Sequence, residues 1–583
     1  MRAQYWALLA LTGYSLADTI VTRNTAVSNC PPLGAVLPPP KEPSKNEAVK
    51  EALSRIQELQ EEVEFLLGNA TGVAVSVSSA YEHDILGSLA YTPAVYNTSG
   101  THAVDDDTVF RIASVSKVFT AMSLLLLGDN ISFSDPITKY VPELNELKRQ
   151  QSMQNDITIM DWDHITIDSM ASHLAGVGNN LGNDLANQPA FNPTKYGLPE
   201  LPPDGHSECG ALASSRPCTW KDFWTKFGRK EATCGPYTTP AYSDVAYDIL
   251  GLVIERVSGE SYGDFVQNHI FTPLNMTNTY ASKPKDDSVG FISRESNFWS
   301  TSMGFQQADG GLYSSANDLA KFGQAILSYK LVDKIRTKAW LKPRTHTSSL
   351  GLSVGAPWEI CRANNLTVDG RIIDVYTRIG DIPDYNALFA VIPDYGLSMS
   401  VLSAGPESSL DNQLYIATQV LQPLVRSLEA AGKAEAKLNY AGTYENRQTN
   451  SSIELRIDDQ SGLHVKNWIM NGHDVLEDYA SISSFGASSS ISSYLSVRLF
   501  PTGLESRNYS AWRAVYSTLD PSVVQAQENA VFFLQSGCRS WETIDNLVYG
   551  YNAFDDFVFG FNGTGDSAIS IRPQAFRQTL TRV

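Results

Sequence analysis

A serine three residues ahead of a lysine could be a nucleophile beside its base, and the chain carries that spacing twice. Ser114 and Lys117 stand in SVSK, within FRIASVSKVFTAMSLLLLGD; Ser282 and Lys285 stand in SKPK. On a helix, residues three apart share a face, so Ser114 Oγ and Lys117 Nζ can meet. A serine hydroxyl is a weak nucleophile until a base removes its proton. Lysine becomes that base when burial or a nearby cation lowers its pKa. A serine in a first helical turn also lies near free backbone N–H groups, which can stabilise an oxyanion. The second copy meets none of these conditions: Pro284 sits inside it, and the charged run KDD follows. Alone, S-x-x-K more often marks two polar residues on a helix than a catalytic pair.

Two other chemistries fit less well. GESYG, Gly259 to Gly263, matches the G-x-S-x-G nucleophile elbow, but that elbow follows a strand. Here YDILGLVIERVSG precedes it and reads as a helix ended by glycine. A helix C-cap followed by a new helix start is therefore expected. The nine histidines form neither H-E-x-x-H nor a Cys/His ligand spacing, so neither a catalytic metal nor a cofactor is expected.

The elements around SVSK follow from periodicity. Val118 to Gly128 is a largely apolar run, too short to span a bilayer and suited to a buried helix. Glu47 to Leu67 has apolar residues at helical spacing, and GVAVSVSSAYEHDILGSLAYT from Gly72 alternates like a strand pair. Residues 185–240 read as loop. Ser314 to Tyr329 is a capped helix, and Leu388 to Ala404 reads as two strands around a PDYG turn. LEAAGKAEAKLNYAG, from Leu428, changes character to Ala- and charge-rich. The division this suggests is a Pro-rich extension at 18–46, a catalytic domain at 47–427, a linker at 428–437 and a mainly β domain at 438–583.

With 583 residues the chain exceeds one hydrophobic core, and 43% apolar residues make it globular. A net charge of -19 argues against nucleic acid or an anionic membrane as partner. MRAQYWALLALTGYSLAD reads as a signal peptide, residues 1–17, cleaved after Ala17, and implies a secreted protein. No later apolar stretch is long enough for a membrane span. Six cysteines (Cys30, Cys209, Cys218, Cys234, Cys361, Cys538) suit disulfides, with the pairing left open. Sequons at Asn69, Asn97, Asn130, Asn275, Asn365, Asn450, Asn508 and Asn562 suit a secreted glycoprotein.

Downstream context strengthens SVSK. Tyr242 stands two residues ahead of Asp244 in PAYSDVAYDILGLVIERVSG, just before a helix. Arg378 precedes Gly380 by two in YTRIGDIPDYNALFAVIPDYG, on a strand. With these blocks, and with DPITKYVPEL, ITIDSMASHLAGV and ADGGLYSSANDLAKFGQAIL in order between and around them, the chain resembles the serine β-lactamase and penicillin-binding-protein family. The resemblance is to its class C and esterase-like branch, over roughly residues 48–425. PWEI, Pro357 to Ile360, and the β-like tail resemble a secreted fungal subgroup with an added C-terminal domain.

The resemblance implies an α+β fold: an antiparallel sheet flanked by helices, a helical subdomain, and a mainly β C-terminal domain. It implies Ser114 as acylated nucleophile, with Lys117 and Tyr242 sharing the general-base work. The N–H groups of Ser114 and Asp381 would form an oxyanion hole. Arg378, ahead of Gly380, would hold the third-motif lysine or histidine position, on the substrate side with Asp244. His173 and Gly176 fall in a His-x-x-Gly turn and are expected to be structural. Two departures stand out. Asp244 replaces a common asparagine, and a carboxylate near Lys117 would raise the lysine pKa and shift the burden to Tyr242. Arg378 stays charged and cannot serve as a proton donor near neutral pH.

The implied function is a secreted serine hydrolase acting on a small-molecule ester, amide or lactone, with no obligate partner. One alternative is an acyltransferase to a natural-product alcohol or amine. Another, motivated by Asp244, is a non-catalytic binding protein. Specificity is expected in loops 185–240 and 345–360.

Overall fold

The computed structural model describes residues 31–152, 157–180, 184–188, 190–202, 205, 209, 216–228, 230–294, 298–484, 494–530, 539–563 and 566–583. The expected signal peptide, Cys30 and Cys538 lie outside the described residues.

Alternating strand residues build a sheet with two covered faces. Its strands are Gly72–Ser79 (β1), Ile85–Tyr91 (β2), Thr345–His346 (β5), Leu352–Val354 (β6), Glu359–Ala363 (β7), Ile373–Ile382 (β8), Tyr385–Ile392 (β9) and Leu397–Ala404 (β10). Val109–Arg111 (β3) and Tyr313–Ser315 (β4) pair separately beside it. The eight strands run β2-β1-β10-β9-β8-β7-β6-β5, each neighbour antiparallel. β9 shows why helices cover both sides. Tyr385, Ala387, Phe389 and Val391 point into one core, with Phe119 and Phe322 of the Ser116–Leu126 and Ala316–Leu327 helices. Leu388, Ala390 and Ile392 point into the other, with Val49 and Ile56 of the Glu47–Glu58 helix and Ile416 and Val420 of the Leu410–Asn439 helix.

The second sheet, within residues 442–582, has nine antiparallel strands among the described residues. Leu463–Met470 pairs with both Ser451–Arg456 and Ser496–Glu505, so the sheet closes on itself around Tyr444, Trp468, Trp512, Phe557 and Phe559.

Two expectations need correction. Residues 428–437 are not a linker but part of the 30-residue Leu410–Asn439 helix, about 45 Å long at 1.5 Å per residue. Ala, Glu and Lys are strong helix formers, and Leu428, Ala431, Gly432 and Ala436 are buried along this stretch. Ala436 already belongs to the core of the second sheet. Within the expected loop 185–240, Trp220–Phe227 is a helix, with a capping box from Thr219 and Asp222. Its short length and loop flanks hid it. Cys209 and Cys218 form a disulfide there, while Cys234 and Cys361 are thiols. Among the described residues, no helix is long and apolar enough to cross a membrane.

Candidate active site

Ser114 sits in a 3-10 turn, Ala113–Val115, between β3 and the Ser116–Leu126 helix. Ala113 has φ 43°, a left-handed conformation uncommon for a residue with a side chain. The turn presses against β8. A Cβ on Gly380 would lie 2.3 Å from Ile112 O and 3.0 Å from Ser114 N, so only glycine lets the strand run this close.

Lys117, one turn further on, is fully buried. Its Nζ donates to Ser114 Oγ at 3.0 Å, Asp244 Oδ1 at 2.6 Å and Asp309 O at 2.8 Å. Tyr242 arrives from the loop before the Asp244–Ser258 helix, whose cap is Ser243 accepting from the Ala246 N–H. The Tyr242 hydroxyl lies 2.7 Å from Ser114 Oγ. His173 fixes this loop: its ring packs on Tyr242 with centroids 4.6 Å apart, and its Nδ1 accepts from the Ser243 N–H at 3.2 Å. Burial, then the Arg378 and Lys117 charges, hold the His173 pKa well below the usual range, so it is neutral here.

Arg378 closes the cluster from β8. It donates to the Tyr242 hydroxyl at 2.5 Å, Glu359 Oε1 at 2.8 Å and Ser114 O at 3.2 Å. Burial disfavours its charge, but Tyr242 and Glu359 outweigh burial and raise its pKa. Lys117 follows the same logic. Burial alone would lower its pKa; the Asp244 carboxylate, with Tyr242 and Asp309, outweighs burial and holds it above the ordinary lysine value. Burial opposes ionisation of Asp244, and Lys117 with Asn180, donating at 3.1 Å, overcomes this and lowers its pKa. Behind the pair, burial first and neighbouring carboxyls second raise Asp248 and Asp309 well above the ordinary carboxylate value.

Residues 70–422 match the family model described as Beta-lactamase, and residues 432–583 match one described as Beta-lactamase-like-like, C-terminal domain. The chain belongs to the beta-lactamase family. It is 30% identical over 561 residues to a Beta-lactamase-like protein of Arthroderma benhamiae, covering 91% of each chain. It is 26% identical over 525 residues to the "Probable hydrolase M10" of a Phoma species, covering 83% of this chain and 84% of the relative. A penicillin-binding protein homologue from Pyrococcus abyssi superposes with a TM-score of 0.46 at 17% identity, covering 92% of this chain and 100% of that one. As a beta-lactamase family member the chain has the expected α+β fold and the added C-terminal domain.

The structure brings Ser114, Lys117, Tyr242, Asp244, Arg378 and Gly380 of this family member together. Asp381 follows on β8, its Oδ1 accepting from Asn386 Nδ2 at 3.0 Å. The substrate-side position expected for Arg378 is corrected. Its side chain is 2% exposed and its charge is committed to Glu359 and Tyr242, because a buried guanidinium must be paired. Asp244 likewise turns its carboxylate to Lys117 and Asn180. Sequence reasoning missed Asn180, Glu359, Asp248 and Asp309, which have no motif spacing to Ser114. Glu359 stood within the quoted PWEI block, which was the available signal. The sequon asparagines sit at the surface: Asn97 is half-buried and the other seven are exposed. Ser282 and Lys285 make no hydrogen bond to each other.

Proposed function

We propose that this family member is a serine hydrolase that cleaves an ester, amide or lactone through an acyl-Ser114 intermediate. The observation that carries this is Ser114 Oγ lying 2.7 Å from the Tyr242 hydroxyl and 3.0 Å from Lys117 Nζ. All three Lys117 N–H bonds are directed at acceptors, and Asp244 holds the amine protonated. Lys117 is therefore a fixed positive charge beside the nucleophile, and the Tyr242 oxygen is the remaining acceptor. In its phenolate form that oxygen accepts from Arg378 and takes the Ser114 proton as Oγ attacks the carbonyl carbon. The developing oxyanion is received by the N–H groups of Ser114 and Asp381. Collapse expels the alkoxide or amine, which takes the proton from Tyr242. Water then repeats the sequence, releasing the acid and restoring Ser114.

The test is intact mass after exposure to a fluorophosphonate, in which Ser114 Oγ displaces fluoride from phosphorus. One adduct on the native chain and none on Ser114→Ala is expected. No adduct on the native chain from acid to mildly alkaline pH would overturn the proposal. That result would favour the second reading, a binding protein silenced by the Lys117–Asp244 pair at 2.6 Å. Product analysis with an added alcohol or amine distinguishes hydrolysis from acyl transfer. Secretion and glycosylation belong to the same proposal, supported by the N-terminal pattern and the surface sequons.

A further inference from the structure

A second cavity, of about 380 Å³, lies apart from the nucleophile. Neither Ser114, Lys117, Tyr242 nor Arg378 lines it. Its apolar wall is Trp220, Phe305, Leu252 and Ala308, with Trp220 and Phe305 stacked at 4.7 Å between centroids. The volume and the aromatic lining are those of a small-molecule site with room for one or two rings. Gly251 shapes the floor: a Cβ there would come 2.6 Å from Ala308 Cβ. Tyr262 contributes its ring while its hydroxyl is engaged by Thr120 at 2.8 Å.

One charged side chain lines this cavity, Glu255. Its Oε1 accepts from the Tyr262 N–H at 3.0 Å, and among the described residues no Lys or Arg pairs with it. A carboxylate with one backbone partner and no cation, beside a stacked aromatic pair, is complementary to a ligand that carries both features. We propose that this cavity binds a small aromatic ammonium ion, its ring against Trp220 and Phe305 and its ammonium on Glu255. The acidic chain favours the same sign of ligand: its net charge is -19.

The experiment uses the full chain carrying Ser114→Ala, so that binding is read without turnover and stands or falls independently of the acyl-serine proposal. Phenethylammonium, neutral phenethyl alcohol and anionic 3-phenylpropionate are titrated calorimetrically. Phenethylammonium is expected to bind, with the alcohol roughly tenfold weaker and the carboxylate weaker still. Adding Glu255→Gln, which keeps an oxygen acceptor for the Tyr262 N–H, should reduce phenethylammonium to the level of the alcohol. Adding Trp220→Ala should weaken both, with a thermal melt confirming that each variant is folded. Equal binding of all three probes, no binding at millimolar concentration, or an unaltered Glu255→Gln titration would overturn the proposal.

Discussion

Ser114–Lys117 and Ser282–Lys285 have the same spacing and opposite surroundings. The first pair lies at a helix start, with Lys117 fully buried and its Nζ 3.0 Å from Ser114 Oγ. In the second, Ser282 and Lys285 are both exposed, no helix joins them, and Pro284 stands between. Lys283, not Lys285, finds a partner there, pairing with Asp287 at 2.5 Å. Spacing thus offers a meeting of side chains. The helix makes it happen, and burial among fixed charges gives it chemistry.

Three measurements sharpen that contrast. The largest effect is expected from Tyr242→Phe, which removes the proposed proton acceptor and leaves the ring packed on His173. Esterase kcat/KM should fall by roughly 10²–10⁴-fold, the range for a general base. Ser282→Ala should leave it unchanged, and a Tyr242→Phe enzyme of near-native rate would return the base role to Lys117.

A smaller loss is expected from Gly380→Ala. The new Cβ would press on Ile112 O, 2.3 Å away, and displace the Ser114 turn. A misplacement of this kind costs up to roughly 10²-fold in kcat. An equal substitution at exposed Lys285, Lys285→Ala, should be silent. Unchanged kcat in Gly380→Ala would show that the turn yields without consequence.

Asp244→Asn has the smallest effect on rate and the clearest effect on pH dependence. Asp244 has a lowered pKa, so its contribution to stability is present above the ordinary carboxylate value and lost as pH falls through the lowered one. Lys117 has a raised pKa, so its contribution is present below the ordinary lysine value and lost as pH rises through the raised one. The pair therefore stabilises the fold across the whole range between about pH 4 and pH 10. Asp244→Asn should lose this within that window, by roughly 3–5 kcal/mol at most, since it leaves a buried charge unpaired. Urea denaturation at neutral and at strongly acidic pH measures it, with the difference from native shrinking in acid. Without the carboxylate, burial and Arg378 favour the neutral Lys117 amine, and because Tyr242 is the proposed base the rising limb of the kcat/KM profile should not move to lower pH. A limb that moves to lower pH would show that a neutral Lys117 takes the Ser114 proton.

Much of the scaffold was legible because its causes are local. The alternation in Gly72–Ser79, the PDYG turn between β9 and β10, and the glycine ending of the Asp244–Ser258 helix at Gly259, φ 76°, each follow from a few adjacent residues. GESYG resolved as expected, with Ser261 capping the next helix. The 428–437 stretch misled because charge richness reads as linker when the buried face of a long helix is not recognised. Glu359 and Asn180 were hidden because each matters only through one contact made across the fold.

The sequence by itself determined that Ser114 and Lys117 stand one turn apart, that a tyrosine and an arginine-x-glycine strand follow in order, and that Ser114 leads into a buried helix. Only the tertiary structure decided which charges surround them. Asp244 reaches Lys117 from 127 positions away, and Arg378 reaches Tyr242 from 136. The physical reason is range: a buried charge is governed by groups within a few ångströms in a poorly screening interior. Which groups those are is a property of the folded chain.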